Sequence, residues 1–599
     1  MRPLAIALLV ALALVLPVGA AYAAGTPLIE GPLDSNLRSA VERAFAPIGG
    51  GSASRFEARR RAQEAGEAAI AVLRSEGYYA QQVQADVRDE ASDLSQPVVK
   101  IDPGQRFTII DPQLVWAMPM PDPQSAEMAT NAMRLMRGSP GRAEVVLSGE
   151  ERIIAVLQLH GYADALANPR QVVADFADHS LRPTYNIVAG PRVLLGHVQI
   201  STKGRTNPVW VAGLAPWTTG QPYAPDQLAE LERRLRETGV FDEISVALAP
   251  ASQPASTDPR PVLVSLADRA PRTIELGAGF STSEGAGLDA RYVFYNRLRR
   301  ADTTTFTARL AQIETKLDGE IALPQWGGPQ QTLKIGAALY RENTDAYEES
   351  GFGARVDVNQ RYGTSIYRTS YRTLGASLDV THSRQKTASA GGVIGESRNL
   401  ITLAGLAALA WDASDDPLNP RRGWKVLAHT EPTTITGAGT QLFLRTQAQA
   451  SGYLPLDAKA ETVIAVRFKL GAILSGVLLD LPASRRFYAG GGGSVRGYGY
   501  QAIGPRLSDS TPQGGVSLAE TSVELRRHVL GPWSAAAFVD FGGVGGNGFP
   551  AGKDFSAGAG FGVRYDLGFG PIRADFAFPM QARPGDPKFQ IYVSIGQSF

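Results

Sequence analysis

The sequence predicts a membrane β-barrel of about 16 antiparallel strands in residues 271–599, preceded by α/β repeats of order β-α-α-β-β in residues 24–270. Two observations divide the chain in this way. Residues 1–270 hold 19 of the 64 glycines, and residues 271–599 hold the other 45. Apolar residues recur at helical spacing in the first region, whereas they alternate with polar residues in the second. Helices are therefore expected only in the first region.

The composition excludes several classes of function. The formal net charge is +1, from 59 Lys+Arg and 58 Asp+Glu, so no basic excess favours nucleic acid as a partner. The chain has no cysteine, which excludes disulfides, thiolate metal sites and cysteine nucleophiles. A mean hydropathy of −0.10 is typical of a soluble chain, although it also averages an apolar face against a polar one.

The N-terminal segment, residues 1–23, is predicted to be a signal peptide. Arg2 supplies a positive charge, residues 4–16 form an apolar run, and Ala21-Tyr22-Ala23 is a small-x-small cleavage site. The alternative is an N-terminal membrane anchor, but the run is short for a helix that needs ~20 residues to span a bilayer. We therefore expect an exported protein.

Three degenerate units of about 80 residues precede the barrel region. In each unit a helical segment ends at a glycine, and Gly77, Gly161 and Gly239 lie 84 and 78 residues apart. Strand-like runs follow each glycine, which predicts the order strand-helix-helix-strand-strand. Any small α/β domain is the alternative for one unit taken alone. The predicted units are residues 24–102, 103–188 and 189–270.

Strict alternation predicts transmembrane strands in residues 271–599. Ile591, Val593 and Ile595 share one face of the last strand, and similar alternation runs through residues 464–470 and 572–578. An apolar outer face and a charged inner face suit a barrel in lipid. A soluble β-sandwich can show the same alternation, so a soluble β-rich binding protein remains an alternative at this point.

One glycine-rich segment, residues 486–505, stands out as a candidate functional motif. It contains Gly490 to Gly493 followed by Val495-Arg496-Gly497-Tyr498. No Lys-Ser/Thr pair and no helix pattern follow the glycines, which argues against phosphate binding. If Arg496 is buried in the lumen, its guanidinium needs acidic partners. Glu524 and Asp540 are out of phase with their apolar neighbours, so they are the candidate partners.

These motifs resemble the BamA/TamA superfamily of outer-membrane assembly barrels. Val495-Arg496-Gly497-Tyr498 resembles the signature of that family's long sixth loop, and Glu524 and Asp540 match acidic positions of its following strands. The three α/β units resemble POTRA domains. Further resemblances are found in the strand-turn element at residues 411–423, the first barrel strand at 274–282 and the C-terminal targeting strand at 592–599.

The resemblance implies an assembly factor for outer-membrane proteins such as autotransporters, with POTRA domains in the periplasm. Unfolded clients, outer-membrane lipids and an inner-membrane-anchored partner of the TamB type are the implied partners. Three units fit the TamA branch, since BamA-type members are expected to carry five and two-partner-secretion transporters two. A BamA-type general assembly factor and a secretion pore for a single cognate substrate remain alternatives.

The seam between the first and last strands is the predicted functional region of the barrel. Gly277, Gly279, Gly596 and Phe599 are assigned to it, because glycines reduce side-chain packing and permit kinks. No enzyme activity, cofactor or metal is expected. None of the six histidines lies in a His-Glu-x-x-His motif, and Gly-x-Ser-x-Gly is absent from the sequence.

Overall fold

The computed structural model describes residues 26–48, 54–89, 95–251, 258–363, 369–386, 388–389, 392–393, 397–437, 439–474, 478, 480–508, 510–568 and 570–599. The predicted signal peptide lies outside these residues. The chain divides into two compact units, and the second consists of residues 198–216, 229–247 and 262–599, which include the barrel. Among the described residues, no helix combines the length and the apolar character needed to cross a membrane.

The first α/β repeat is a three-stranded sheet covered by two helices. Its elements are β1 (Leu28–Glu30), α1 (Ser35–Phe45), α2 (Arg55–Ser75), β2 (Gln82–Asp89) and β3 (Ser95–Asp102), with sheet order β1-β3-β2. The Asp34 side chain caps α1 by accepting a hydrogen bond from the Leu37 amide at 2.8 Å. Val41 and Phe45 of α1 pack with Val99 of β3 in one core.

The second repeat has the same order, but its first strand is broken in two. Its elements are β4 (Thr108–Ile109), β5 (Gln113–Ala117), α3 (Pro123–Ala132), α4 (Ala143–Leu159), β6 (Leu166–Asp175) and β7 (Ser180–Val188). Asp111, with φ 47°, and Pro112, which lacks an amide donor, interrupt the strand. Asp122 caps α3, and hydrogen bonds from Ser125 and Tyr162 lower the pKa of Asp122 to about 2.

The third repeat again follows the predicted order. Its elements are β8 (Leu195–Thr202), α5 (Pro208–Ala212), α6 (Pro225–Arg236), β9 (Phe241–Leu248) and β10 (Arg260–Asp268), with sheet order β8-β10-β9. Leu228, Leu231 and Leu235, which predicted α6 by their spacing, are buried. Gly239 ends the helical region with φ +69°, a conformation that favours glycine.

The C-terminal region forms a closed antiparallel barrel of 16 strands, as the sequence predicted. A short hairpin, β18 (Ala388–Ser389) and β19 (Gly392–Val393), stands outside this wall. The wall strands are β11 (Arg272–Ser281), β12 (Gly285–Tyr295), β13 (Thr303–Ala311), β14 (Glu314–Pro324), β15 (Gln331–Asn343), β16 (Tyr347–Tyr362), β17 (Thr369–Gln385), β20 (Ser397–Asp412), β21 (Gly423–Thr436), β22 (Gln441–Pro455), β23 (Thr462–Leu474), β24 (Ser517–Leu530), β25 (Trp533–Gly545), β26 (Phe555–Asp566), β27 (Pro571–Pro579) and β28 (Gln590–Ile595).

The barrel has an apolar exterior and a charged interior. On β24, Val523 and Leu525 are exposed, whereas Glu524 between them is fully buried. On β23, Phe468 is exposed and the adjacent Arg467 is buried. A soluble sandwich would bury the apolar face instead, so this arrangement favours a barrel in contact with lipid.

A buried polar junction joins the third repeat to the barrel within the second compact unit. Asp268, which ends β10, accepts a hydrogen bond from Thr206 Oγ1 at 2.7 Å and one from Asn296 Nδ2 at 2.9 Å. Thr206 and Asn296 are both buried, and Asn296 lies in the turn after β12. No sequence motif pointed to this junction.

Candidate functional site

The long connection between β23 and β24 folds into the barrel, and we call residues 480–516 the lumen loop. Near its start, Ser484 Oγ donates to Glu349 of β16 at 2.6 Å, and Arg485 pairs with Asp379 of β17 at 3.2 Å. Further along, Arg496 reaches carboxylates of β24 and β25. Because β16 and β17 are far from β24 and β25 in the strand order, the lumen loop crosses the interior.

Arg496 of the lumen loop is almost completely buried, with 2% of its side chain exposed. Its Nε and Nη2 donate to the two carboxylate oxygens of Asp540 at 2.7 and 3.0 Å, and its Nη1 donates to Glu524 at 2.9 Å. Both acidic partners that the sequence predicted are therefore in contact with Arg496. The guanidinium carbon also lies 3.3 Å from the centre of the Phe538 ring, which adds a cation–π contact.

Sequence reasoning missed three further members of this cluster. Arg496 Nη1 also donates to Asp575 at 3.2 Å, Arg564 bridges Asp575 and Glu524, and Arg526 donates to Glu524 at 2.9 Å. Three guanidinium groups thus contact three carboxylates, and a fourth, that of Arg573, lies 3.8 Å from Asp575. We call this set the anchor cluster; its members are Arg496, Glu524, Arg526, Asp540, Arg564 and Asp575.

The residues that flank Arg496 fit the site closely. Gly497 has φ +99°, and a Cβ atom there would lie 2.6 Å from the carbonyl carbon of Phe578, so only glycine is accommodated. The Tyr498 hydroxyl donates to the Ala557 carbonyl at 3.0 Å, and Val495 is fully buried. The segment 495–498 is therefore held by backbone shape as well as by charge.

The seam between β11 and β28 is weakly paired. Two residue pairs join these strands, Phe280 with Val593 and Ser281 with Tyr592, whereas β11 and β12 share ten pairs. Among the described residues, positions 272–279 of β11 have no strand partner on the seam side. Gly277 and Gly279 lie in this unpaired stretch, as the sequence predicted for seam residues.

The lumen loop contacts both sides of the seam. On the side of the first strand, the Gly492 amide donates to Glu284, in the turn after β11, at 3.3 Å. On the side of the last strand, the Gly497 amide donates to the Tyr592 hydroxyl at 3.1 Å. The same loop that is anchored through Arg496 therefore also holds the two seam strands.

The C-terminal residues leave the wall, which corrects the assignment of Phe599 to the seam. Gly596 has φ +88°, so the chain turns after Ile595 and the alternation that predicted an extended strand stops there. Ser598 then donates to Glu524 at 3.0 Å. Phe599 packs inside the barrel, where Arg526 donates to its carbonyl at 3.3 Å. Gly596 marks the turn itself, and its amide donates to Pro571 at 2.7 Å.

Comparison with known proteins gives a family and a fold. The profile of the Omp85 superfamily domain matches residues 296–599. Outer membrane protein assembly factor BamA of Neisseria meningitidis serogroup B is 22% identical over 490 residues, covering 72% of this chain and 59% of that protein. The BamA of Nitratidesulfovibrio vulgaris is 23% identical over 452 residues, covering 74% of this chain and 55% of that protein. The chain thus spans less than two thirds of the length of both relatives.

Among solved structures, BamA from Haemophilus ducreyi lacking POTRA domains 1–3 aligns with a TM-score of 0.65 and 18% identity. The alignment covers 82% of this chain and all of that chain, and it shows a shared fold. Because the family profile covers half of the sequence, the chain belongs to the Omp85 superfamily. This membership and the closed barrel with an apolar exterior indicate an outer-membrane protein.

Proposed function

We propose that this Omp85-superfamily chain is an assembly factor that helps other outer-membrane β-barrel proteins, such as autotransporters, to fold, insert or cross the membrane. Two relatives carry the description outer membrane protein assembly factor, which supports this class of function. In the proposal the three α/β repeats lie in the periplasm and meet unfolded clients before these reach the barrel.

The seam is the observation that carries the proposal. In the part of the chain that the structure describes, residues 272–279 of β11 lack a strand partner on the seam side, and two residue pairs beside them close the wall. Unpaired amide and carbonyl groups on a strand edge template the addition of another strand with little demand on its sequence. A client strand that pairs with β11 there enters the membrane with its backbone groups satisfied, which hydrocarbon requires.

The proposed reaction needs no catalytic residue and no nucleotide, since burial of the client's apolar exterior in lipid provides the driving force. The wall is also low at the seam, because β28 has 6 residues whereas β20, on the far side, has 16. A short apolar edge thins the adjacent bilayer, which lowers the barrier to insertion. We therefore propose that the chain is not an enzyme and that outer-membrane lipids take part directly.

As a finer assignment we propose the TamA branch, which the three repeats in this sequence fit. Their sheets have edge strands, such as β1 and β2 in the first repeat, to which an extended segment can add. We propose that such an edge receives an inner-membrane-anchored partner of the TamB type. A pull-down of the TamB-type partner by the full chain tests this assignment. The comparison is a variant that carries proline substitutions on one edge strand of a repeat.

Depletion of the protein tests the class of function. We expect several outer-membrane barrels to decline together, measured by quantitative proteomics of the outer-membrane fraction. Loss of a single cognate substrate would instead support a secretion pore. Purified chain in liposomes should also raise the rate at which an added unfolded barrel protein becomes heat-modifiable.

A disulfide across the seam tests whether client strands enter the membrane through it. Phe280 and Val593 face each other directly, and the natural chain has no cysteine, so the double variant F280C/V593C forms one defined tether. We expect assembly in liposomes to stop when the tether is oxidised and to return on reduction. The matched control, A290C/A308C, joins two strands that are already fully paired and should have no effect. Unchanged assembly with the oxidised seam would contradict opening at this site.

A further inference from the structure

A cluster of cations lies on the outer face of the barrel wall, at the end away from the third repeat. That repeat contacts the turn after β12, so the turn between β15 and β16 lies at the opposite end of the antiparallel wall. There Arg341 of β15 and Arg384 of β17 each donate to Glu348 of β16, at 2.7 and 2.6 Å. Lys386, which follows β17, donates to Asn343 of β15 at 2.6 Å. We call Arg341, Glu348, Arg384 and Lys386 the basic patch.

The basic patch carries more positive than negative charge. Its two guanidinium groups share one carboxylate, and Asp345 in the adjacent turn adds a second, so three cations stand against two acidic groups. Arg341 is 65% exposed and Arg384 is 36% exposed, and the contact with Glu348 occupies one of the two terminal nitrogens of each. Because a guanidinium binds phosphate oxygens through parallel N–H donors, the patch suits a phosphate group.

The basic patch borders the apolar exterior of the barrel. Leu339 of β15, Phe352 of β16 and Val380 of β17 are register partners on the outer face, and each is about half exposed. Arg341 follows Leu339 by two residues on the same face of its strand, which places it roughly 7 Å beyond this apolar row. Cations at the edge of a lipid-facing surface lie at the depth of the lipid head groups. The basic patch is therefore placed to meet head-group phosphates.

An apolar groove of about 490 Å³ starts at the same row and crosses the outer face of the wall toward the seam. Leu339 and Phe352 line the end next to the basic patch, and Ile274 of the unpaired β11 edge lines the other end. The strands between them contribute small residues, which leave room between larger neighbours; these are Ala290, Ala308, Gly319 and Ala337. An unfilled groove forfeits dispersion contacts, so an acyl chain that lies in it is held more tightly than one on a flat wall.

We propose that the basic patch and this groove form one binding site for a phosphate-bearing lipid. Its head-group phosphate binds Arg341 and Arg384, and one acyl chain lies in the groove. A free phosphate would use the patch alone, whereas a lipid uses both parts. The site faces the leaflet opposite the third repeat, which is the outer leaflet when the repeats lie in the periplasm. The inference requires the barrel to lie in a membrane, but it does not require the chain to assemble clients.

Lipid binding to the full chain in detergent, measured by native mass spectrometry, tests the proposal. The probes are dioleoyl phosphatidic acid, which has the phosphate and the chains, dioleoylglycerol, which has the chains alone, and inorganic phosphate. We expect phosphatidic acid to bind about tenfold more tightly than dioleoylglycerol, because it gains charge-assisted hydrogen bonds. Inorganic phosphate at the same concentration should not displace phosphatidic acid, because it cannot use the groove.

Two variants separate the parts of the site, each with a matched control. R341Q/R384Q should remove the preference for phosphatidic acid and leave the binding of dioleoylglycerol unchanged. Its control is R372Q, at an exposed arginine near the start of β17, which should keep the preference. A337F fills the groove and should weaken both lipids, whereas A450F, at an exposed alanine of β22, should weaken neither. Heat-modifiable migration verifies that each variant is folded.

Several outcomes would overturn the lipid site. They are equal binding of the two lipids to the natural chain, a preference that survives R341Q/R384Q, and a preference that R372Q removes as well, which would indicate attraction by overall charge. Displacement of phosphatidic acid by inorganic phosphate would indicate an anion site without a lipid chain, and full binding to A337F would exclude the groove. Because these measurements contain no client, a failure of client assembly in liposomes would contradict the proposed function and leave the lipid site standing.

Discussion

The anchor cluster and the seam lie in the same barrel wall and differ in almost every property that holds a structure together. In the anchor cluster, buried guanidinium and carboxylate groups are paired at distances of 2.5 to 3.2 Å. At the seam, two residue pairs join the strands, glycines replace side chains and a cavity remains. This contrast supports the proposal that client strands enter at the seam while the anchor cluster beside it stays fixed.

The largest expected effect on stability comes from R496A, which disrupts the anchor cluster. Removing this guanidinium leaves Asp540 buried without a cation, and breaking a buried pair in this way costs about 3–5 kcal/mol. We expect the free energy of unfolding of the barrel to fall by that amount, measured by urea denaturation in lipid with heat-modifiable migration as the readout.

The control for R496A is R291A on the same barrel. Arg291 pairs with Glu275 at 2.9 Å, but about half of each side chain is exposed, so the loss should stay below about 1 kcal/mol. If the two variants lose equal stability, burial does not distinguish the anchor cluster from ordinary surface pairs, and the comparison fails.

Much of the anchor cluster could be predicted from the sequence, whereas little of its surroundings could. Alternation placed Glu524 and Asp540 on the inner face, and the charge of Arg496 required such partners. Alternation also placed Asp575 on the inner face. Its contact with Arg496, however, depends on how the lumen loop lies against β27, and the local sequence pattern does not determine contacts between distant segments. The polar junction of Thr206, Asp268 and Asn296 could not be predicted for the same reason.

The error at Phe599 came from extending a pattern too far. The period of two holds to Ile595, and Gln597 already interrupts the apolar face in the sequence. Gly596 adopts a positive φ and turns the tail inward, where Phe599 finds an apolar site beside Arg526. A glycine followed by a break in alternation was the available signal, but glycine also occurs inside regular strands, so the signal is ambiguous.

A smaller effect is expected from Y592F, which tests whether the lumen loop secures the seam. The variant keeps the ring and removes the hydroxyl that accepts from the buried Gly497 amide. An unsatisfied buried donor costs about 1–3 kcal/mol, so the seam should open more often without global unfolding. Hydrogen exchange of amides 590–595 should accelerate, whereas the same change at the exposed Tyr371 should have no effect. Unchanged exchange in Y592F would show that the loop and the seam are independent.

The smallest effect on stability is expected for the ion pair of Asp164 and Arg260 in the α/β repeats. This pair tests whether burial is what makes the anchor cluster stronger than other ion pairs. Arg260 donates to both carboxylate oxygens of Asp164 at 2.7 and 2.6 Å, a geometry like that of Arg496 with Asp540. The Asp164 side chain is 34% exposed, however, so solvent screens the attraction. A double-mutant cycle with D164N and R260Q should give a coupling of only about 0.2–1 kcal/mol near neutral pH.

The dependence of this coupling on pH follows from the same contact. The hydrogen bonds from Arg260 hold the pKa of Asp164 below its ordinary value, against the opposing effect of burial. A lowered folded-state pKa means that the stabilisation is complete above the unfolded value of about 3.9 and is lost as the pH falls through the folded value. Hydrogen exchange of the amides around residue 164 should therefore show the full coupling at about pH 6 and its progressive loss as the pH falls below about 3.9. A coupling as large as the loss in R496A would mean that pair geometry, and not burial, separates the anchor cluster from the rest of the molecule.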